Sequence, residues 1–548
     1  MKRLMWIATL RSVSVSLAVA LFAITCSSTF AYGQAAVDSV EPMGSDTKSN
    51  LPTTDEVLKR VDSLVQQNEQ LEKQNHELIN VISAMRRALA EQSHGSEADA
   101  KEIPPDESGT SPNRISPMTA TMVESINSIS SSSASAGIET SNAAAGQAEK
   151  KKSWGTYTPN FGFKIANTEY GDVNLSIYSY ARYLNQRALQ PTFTNAFGNT
   201  ISLQQRQDFQ LQKVQIKFLG WVMDPKLRYF LYAWTSNASQ GLGAQVVLAG
   251  NLNYTFNDHV TITAGIMSLP GTRSVEGNFP FWLGVDSRLI ADEYMRPSYT
   301  SGVRGSGTLR KGLIYQTMIG NNLSTLGVSA AQLPNYFKTN STVLIWMPTT
   351  GEFGQGFGDF ENHQKVATRL AGHFTYSKEN KQSQPNDDEF ENTQLRLSDG
   401  SIIFTPNLFG PGILINDAVY KMASIDWGIK YHGYSLEGEY YKHVLTNFQG
   451  PNTSGLRPNH DYGYQLQAAA MVIPKTLQLY AGGSEVIGDY GRPWDVRGGV
   501  NYFPYKNRVV RWNTEFLYTY RSPVGYPSVP FALGGTGLIF HTNLELAF

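Results

Sequence analysis

The chain has 548 residues, with 45 Lys and Arg against 46 Asp and Glu, and a negative mean hydropathy. No apolar run of about eighteen residues follows the N-terminus, which excludes a bundle of membrane-spanning helices. No basic block points to a nucleic-acid partner, and the single cysteine, Cys26, leaves the rest of the chain without disulfide or thiolate-metal chemistry.

At the N-terminus Lys2 and Arg3 precede an apolar run from about Val13 to Ile24, followed by small residues to Ala31 and Gly33. Residues 1–33 therefore read as a secretory signal peptide, too short to span a membrane. Thr25, just before Cys26, fits a lipoprotein signal poorly. Residues 34–55 read as disordered. From 56 to 92 the heptad is unbroken: Val57, Leu64, Leu71, Leu78 and Met85 take position d, and Val61, Asn68, Asn75, Ile82 and Leu89 take position a. So narrow an apolar stripe is a coiled coil, roughly 50 Å long at 1.5 Å per residue. One copy cannot bury that seam, so self-association is expected; Asn68 and Asn75 fix its register and lean towards a dimer. Residues 93–153, with PPDESGTSP and SISSSSASAG, are a low-complexity flexible linker.

From residue 154 onwards the pattern changes to period two. In VNLSIYSYARY, Val173, Leu175, Ile177, Ala181 and Tyr183 oppose Asn174, Ser176, Tyr178, Tyr180 and Arg182. In KVQIKF, Val214, Ile216 and Phe218 oppose Lys213, Gln215 and Lys217. Similar segments near 227–236, 245–256, 260–268, 303–310, 312–320, 341–348, 366–377, 421–431, 434–445, 463–473, 477–484, 495–503, 509–520 and 537–548 bring the number to about sixteen, an even count as bacterial barrels require. In the last of them Leu538, Phe540, Thr542, Leu544, Leu546 and Phe548 face one way, and Ile539, His541, Asn543 and Glu545 the other. Apolar outside and polar inside is the pattern of a strand between lipid and water. The aromatic share of 11% suits interfacial girdles. Tight turns (MDPK, FNDH, RKG, HGY, IPKT, PYKN) alternate with long loops; the exception is 341–377, where GEFGQGFGDF replaces a turn. The fold class expected is all-β: a transmembrane antiparallel barrel over 154–548, preceded by a periplasmic coiled coil and a linker. A soluble sandwich or propeller fits poorly, because the segments show no repeat period.

Two stretches resemble the phosphate-selective porin O and P family. One is residues 252–307, with a hairpin, a long third loop and the cluster Asp286, Ser287, Arg288; the other is RGGVNYFPYKNRVVRWNTEFLYTY at 497–520. The resemblance implies a trimeric sixteen-stranded porin of the bacterial outer membrane, whose third loop enters the lumen and whose Arg and Lys side chains form an anion path. Where that family carries a basic run on its second strand, this chain has Gln212, Lys213, Val214 and Gln215. A strong phosphate site is therefore not implied.

If apolar faces look outwards, the inward charges include Arg182, Lys213, Lys217, Lys226, Arg228, Asp426, Lys430, Glu437, Glu439, Arg497, Arg511 and Glu515. Over 151–548 cations lead, about 33 to about 28, and a cationic constriction concentrates anions. The third loop, 269–302, adds Arg273, Arg288 and Arg296 beside Glu276, Asp286, Asp292 and Glu293; about half of these are expected to pin the loop. Lys213 and Lys217 are expected to face solute. The anion-lining set expected is thus Arg182, Lys213, Lys217, Arg228, Arg273, Arg288, Arg296, Arg497 and Arg511. His363, His373, His432, His443 and His541 show no metal-ligand spacing, GQGFG lacks the Lys and Ser/Thr of a phosphate loop, and no cofactor or metal is expected. A passive channel for small anionic solutes is the leading function. The alternatives are an outer-membrane anchor that binds cell wall or a periplasmic partner through its coiled coil, and, more remotely, a barrel enzyme.

Overall fold

The computed structural model describes residues 155–548 apart from 159–160, 237–244, 278, 325–327, 329–331, 334–336, 382–394 and 526–527. The signal peptide, residues 34–55, the coiled coil and the linker lie outside the described residues.

Sixteen antiparallel strands close into a barrel. In chain order they are β1 (Gly171–Leu189), β2 (Gln207–Val222), β3 (Asp224–Ser236), β4 (Gln245–Asn257), β5 (Val260–Ser268), β6 (Tyr299–Arg310), β7 (Leu313–Gly320) and β8 (Thr339–Trp346). They continue with β9 (Ala367–Asn380), β10 (Asp417–Tyr431), β11 (Tyr434–Gln449), β12 (Asn459–Ile473), β13 (Leu477–Ile487), β14 (Trp494–Tyr502), β15 (Val510–Tyr520) and β16 (Gly537–Ala547). Each pairs with its sequence neighbours, and β16 closes on β1 from Gly537↔Leu189 to Ala547↔Tyr178. Closure removes both sheet edges, which would otherwise be free to pair with other chains. Phe548 continues the seam: its N–H donates to the Ile177 carbonyl at 2.9 Å, and the Ile177 N–H to its own at 2.8 Å. A short hairpin, Tyr157–Thr158 with Gly162–Thr168, lies on β1 beyond the end of β16.

The period-two pattern sets the two faces. On β10, Ile425, Trp427 and Ile429 are exposed outwards, while Ser424, Asp426 and Lys430 are buried inwards. On β16, Leu538, Leu544 and Leu546 are outside and His541, Asn543 and Glu545 inside. Exposed aromatics cluster near the strand ends: Trp346, Tyr431, Tyr434, Tyr502 and Trp512 towards one end, Tyr464, Tyr518 and Tyr520 towards the other. An apolar belt between aromatic girdles is a lipid-facing surface. Among the described residues no helix is long and apolar enough to cross a membrane; the crossing is made by strands.

Connections at one end are tight. His432 (φ 49°) and Gly433 (φ 84°) form a two-residue turn in the left-handed conformations that match strand twist. The exception at that end is 347–366, between β8 and β9. The connections at the other end are mostly long.

Candidate functional site

The site is the lumen, and it is filled. The third loop leaves β5 at Leu269, carries the short helix α1 (Ile290–Met295) and rejoins the wall at Tyr299 on β6. Every residue from Trp282 to Thr300 is buried. Main-chain groups of the loop are held by the wall: Ile290 N–H donates to Asp495 at 3.2 Å, Ala291 N–H to Ser484 at 3.0 Å, and Asn501 donates to the Leu283 carbonyl at 2.9 Å. Tyr294 donates to Asp461 at 2.6 Å, and Tyr420 to the Met295 carbonyl at 2.8 Å. Leu395, Leu397, Ile403 and Phe404 from the β9–β10 connection pack with Met267 of β5 and Leu269 at the start of the loop. Val524, Val529 and Phe531 from the β15–β16 connection pack on Ala291, Tyr294 and Met295.

Within this filling most of the expected lining cations are paired or hydrogen-bonded. Arg273 contacts Glu276 at 2.9 Å and Glu437 at 3.3 Å; Arg288 contacts Glu293 at 2.8 Å, and Arg296 also bonds Glu293. Arg497 reaches Asp495 at 3.1 Å and the Ser287 hydroxyl at 2.9 Å. Arg511 grips Glu545 with two nitrogens at 2.6 and 2.8 Å, and donates to the Trp282 carbonyl at 2.6 Å. Two parallel N–H bonds to one carboxylate are the strongest form of such a pair. Arg182 donates to Asn543 at 2.9 Å and to the Val285 carbonyl at 3.0 Å.

Lys213 corrects an expectation. It points inwards as read, but its ammonium lies 2.7 Å from Asp286 and is almost fully buried. Period two gives the direction of a side chain, not what a distant loop lays upon it. Of the seven loop charges, about half of which are expected to pin the loop, Arg273 reaches Glu437 on the wall, while Arg288, Arg296 and Glu293 pair within the loop. Glu276 and Asp286 reach Arg369 and Lys213 on the wall, and Asp292 accepts from Thr272 and Ser274 at 3.0 Å. Buried charges left unpaired would cost several kcal/mol each, about 3–5 by mutational experience.

Lys217 and Arg228 differ. Both are half-buried, on the inner wall of β2 and β3, with Lys217 opposite Tyr232 and Arg228 opposite Trp221. Among the described residues neither has a carboxylate partner; Arg228 donates to the Pro225 carbonyl at 3.2 Å. Lys226 on the same strand is exposed.

The structure also joins residues that sequence spacing kept apart. Arg369 bridges Glu276 at 2.7 Å and Asp426 at 2.6 Å, and His373 lies 2.8 Å from Asp426. Ligand atoms of Glu276, His373 and Asp426 fall within 4.8 Å of one another. The guanidinium of Arg369 already supplies the positive charge there, so the trio reads as an ion-pair network. At the tight-turn end His363 sits between Asp359 and Glu352, the latter at 3.1 Å. Those two carboxylates hold the imidazole pKa up at about 9.

Barrel, apolar belt and in-folded loop together define a class, the transmembrane β-barrels whose lumen carries an inserted loop. No family model matches the chain, and no curated protein matches it, so the resemblance to phosphate-selective porins rests on the residues quoted for it. Solved structures with a similar fold include outer-membrane expressed OmpT of Vibrio cholerae, at 9% identity and TM-score 0.43, covering 70% of this chain and 99% of that one. The outer membrane channel DcaP of Acinetobacter baumannii is similar at 9% and 0.43, covering 71% and 99%. An anion-selective porin from Comamonas acidovorans is similar at 10% and 0.42, covering 69% and 100%. Likeness at this level carries no function across.

Proposed function

We propose that the chain is an outer-membrane channel through which small solutes diffuse passively, with a preference for anions. The observation that supports the preference is the pair Lys217 and Arg228, inward-facing, partly solvated and without a carboxylate partner among the described residues. Cations facing the remaining water raise the local anion concentration. The Arg228 fork suits phosphate or carboxylate, and the missing basic run on β2 makes any phosphate preference weak. Arg182, Lys213, Arg273, Arg288, Arg296, Arg497 and Arg511 would act by fixing the constriction. In this reading the tight turns lie in the periplasm, with the coiled coil on the same side, and three copies assemble in the bilayer. Cross-linking of detergent-extracted protein that gave only monomer or dimer would overturn the trimer.

The test is the reversal potential in a planar bilayer under a salt gradient. The wild type is expected to be anion-selective, and Lys217→Gln with Arg228→Gln to lose much of that selectivity while the barrel stays folded. A cation-selective wild type refutes the proposal.

One observation favours a second reading, the outer-membrane anchor for the coiled coil: the third loop is buried throughout 282–300. A correctly folded protein that shows no conductance under any condition would favour it.

A further inference from the structure

The β8–β9 connection is the one tight-turn-end segment that does not behave as a turn. It runs from 347 to 366, whereas the neighbouring connections at that end are as short as Met223 alone and no longer than 503–509. Instead of crossing the rim, it folds back into the barrel beneath the third loop. Phe353 packs on Val343, Ile345, Met347, Ala367 and Ala371, the apolar patch of the inner wall. Phe357 packs against Phe279, Trp282 and Leu283 of the third loop, and its N–H donates to the Phe281 carbonyl at 2.9 Å.

Between the two rings the backbone itself meets the charges. The Gly356 carbonyl accepts from Arg273 at 2.9 Å and from Lys430 at 2.8 Å, and the Gly358 N–H donates to Glu437 at 3.1 Å. Gly356 has φ +71°, and a Cβ there would lie 2.2 Å from the Phe281 carbonyl oxygen, so only glycine seats this closely. Further contacts hold the segment at the rim. Arg508 pairs with Glu361 at 3.2 Å and donates to the Gln355 carbonyl at 3.1 Å; Asp359 accepts from the Gly433 N–H at 2.8 Å.

We infer that 347–366 is a plug, seated from the tight-turn end against the third loop, and that its withdrawal widens the path through the lumen at that end. The inference rests on the channel reading above. Three features make the seat reversible. Both ends stay anchored in β8 and β9, so the segment can swing without leaving. Water can replace the polar partners it gives to Arg273, Lys430 and Glu437. Four glycines between 351 and 358 let the backbone change course at little steric cost. Withdrawal would leave Arg273 and Lys430 each short of one acceptor and facing the cleared space, so the opened path is basic.

The test uses the full-length protein, whose only cysteine is Cys26. Glu361→Cys with Arg508→Cys removes the rim ion pair and places two thiols across it. A short bis-thiosulfonate bridge then ties the plug down, and a reductant frees it. Single-channel conductance in a planar bilayer is expected to stay low when bridged and to rise at least about twofold when reduced. A second variant, with 351–362 replaced by Asn-Gly, is expected to conduct at the higher level with or without reductant. Equal conductance in bridged, reduced and shortened proteins overturns the plug and leaves the channel standing. Silence in every form, the wild type included, overturns the channel reading and the plug with it. Should the shortened variant fail to fold, the bridged and reduced states of one refolded protein still decide.

Discussion

Lys213→Gln should loosen the third loop. The ammonium lies 2.7 Å from Asp286, with both side chains about 3% exposed, and Asp286 also accepts from Tyr180 at 2.8 Å. The ammonium further sits 5.3 Å from the Trp234 ring centroid and 5.1 Å from that of Phe279. Gln keeps much of the length but leaves a buried carboxylate with one hydroxyl donor. Breaking one side of a buried pair costs about 3–5 kcal/mol. Asp286→Asn alone should cost somewhat less, because the two ring faces still attract the stranded cation by roughly 1 kcal/mol. Together the substitutions remove both charges, and the double variant should regain most of the loss, giving a coupling energy larger than either single cost. Reversible urea unfolding in lipid vesicles supplies the free energies by linear extrapolation, and protease cleavage within 269–298 reports on the loop. If Lys213→Gln stays within about 0.5 kcal/mol of wild type and its loop stays protected, then water reaches Asp286. The reasoning that the lumen is dry at that level would then be wrong.

Two further outcomes are expected. Ile425, 56% exposed and midway along β10, should face lipid, so Ile425→Arg should cost about 2–4 kcal/mol in the same vesicle assay; a neutral result would mean that this face does not meet hydrocarbon. His363 has its pKa raised to about 9, while Asp359 and Glu352 are lowered by its proximity. A raised imidazole stabilises fully below its unfolded value near 6.5 and loses that contribution as pH rises through about 9; lowered carboxylates contribute above about 4 and lose it on acidification. Protease resistance of 347–366 should therefore be flat from about pH 5 to 6 and fall between about pH 6.5 and 9. An NMR titration of His363 with a midpoint near 6.5 would contradict the seat as described.

All sixteen strands were legible because lipid imposes a local rule. Ile216 and Phe218 must face out and Lys217 in, whatever the rest of the chain does. Strand ends were less legible. β1 continues to Leu189, past the alternation read to Tyr183, because Asn185, Gln186 and Arg187 need no apolar face once beyond the lipid. Pairing inside the lumen was not legible at all. Arg369 meets Glu276 and Asp426, which lie on three separate segments, and nothing local in sequence joins them. The 341–377 region departs from the turn pattern in sequence, but alternation alone does not show that it folds inwards. The available signal was the interleaving of Phe353, Phe357 and Phe360 with Gly354, Gly356 and Gly358: ring anchors alternating with residues that allow close approach.

The filling also bears on where selectivity can reside. A sixteen-stranded barrel is too wide for its own wall side chains to fill, so its interior holds either water or inserted chain. Where chain is inserted, each buried charge must find its opposite, and the third loop matches Asp286 to Lys213, Glu276 to Arg369, and Arg273 to Glu437. Such matched pairs contribute little net field. The surplus of cations, about 33 against about 28 over 151–548, is then expressed where water remains, which on the inner wall includes Lys217, Lys226 and Arg228. The proposed anion preference would then rest not on Lys213 but on cations at the tight-turn side of β2 and β3. The proposed plug is seated at the same tight-turn end, so one end would both select and gate.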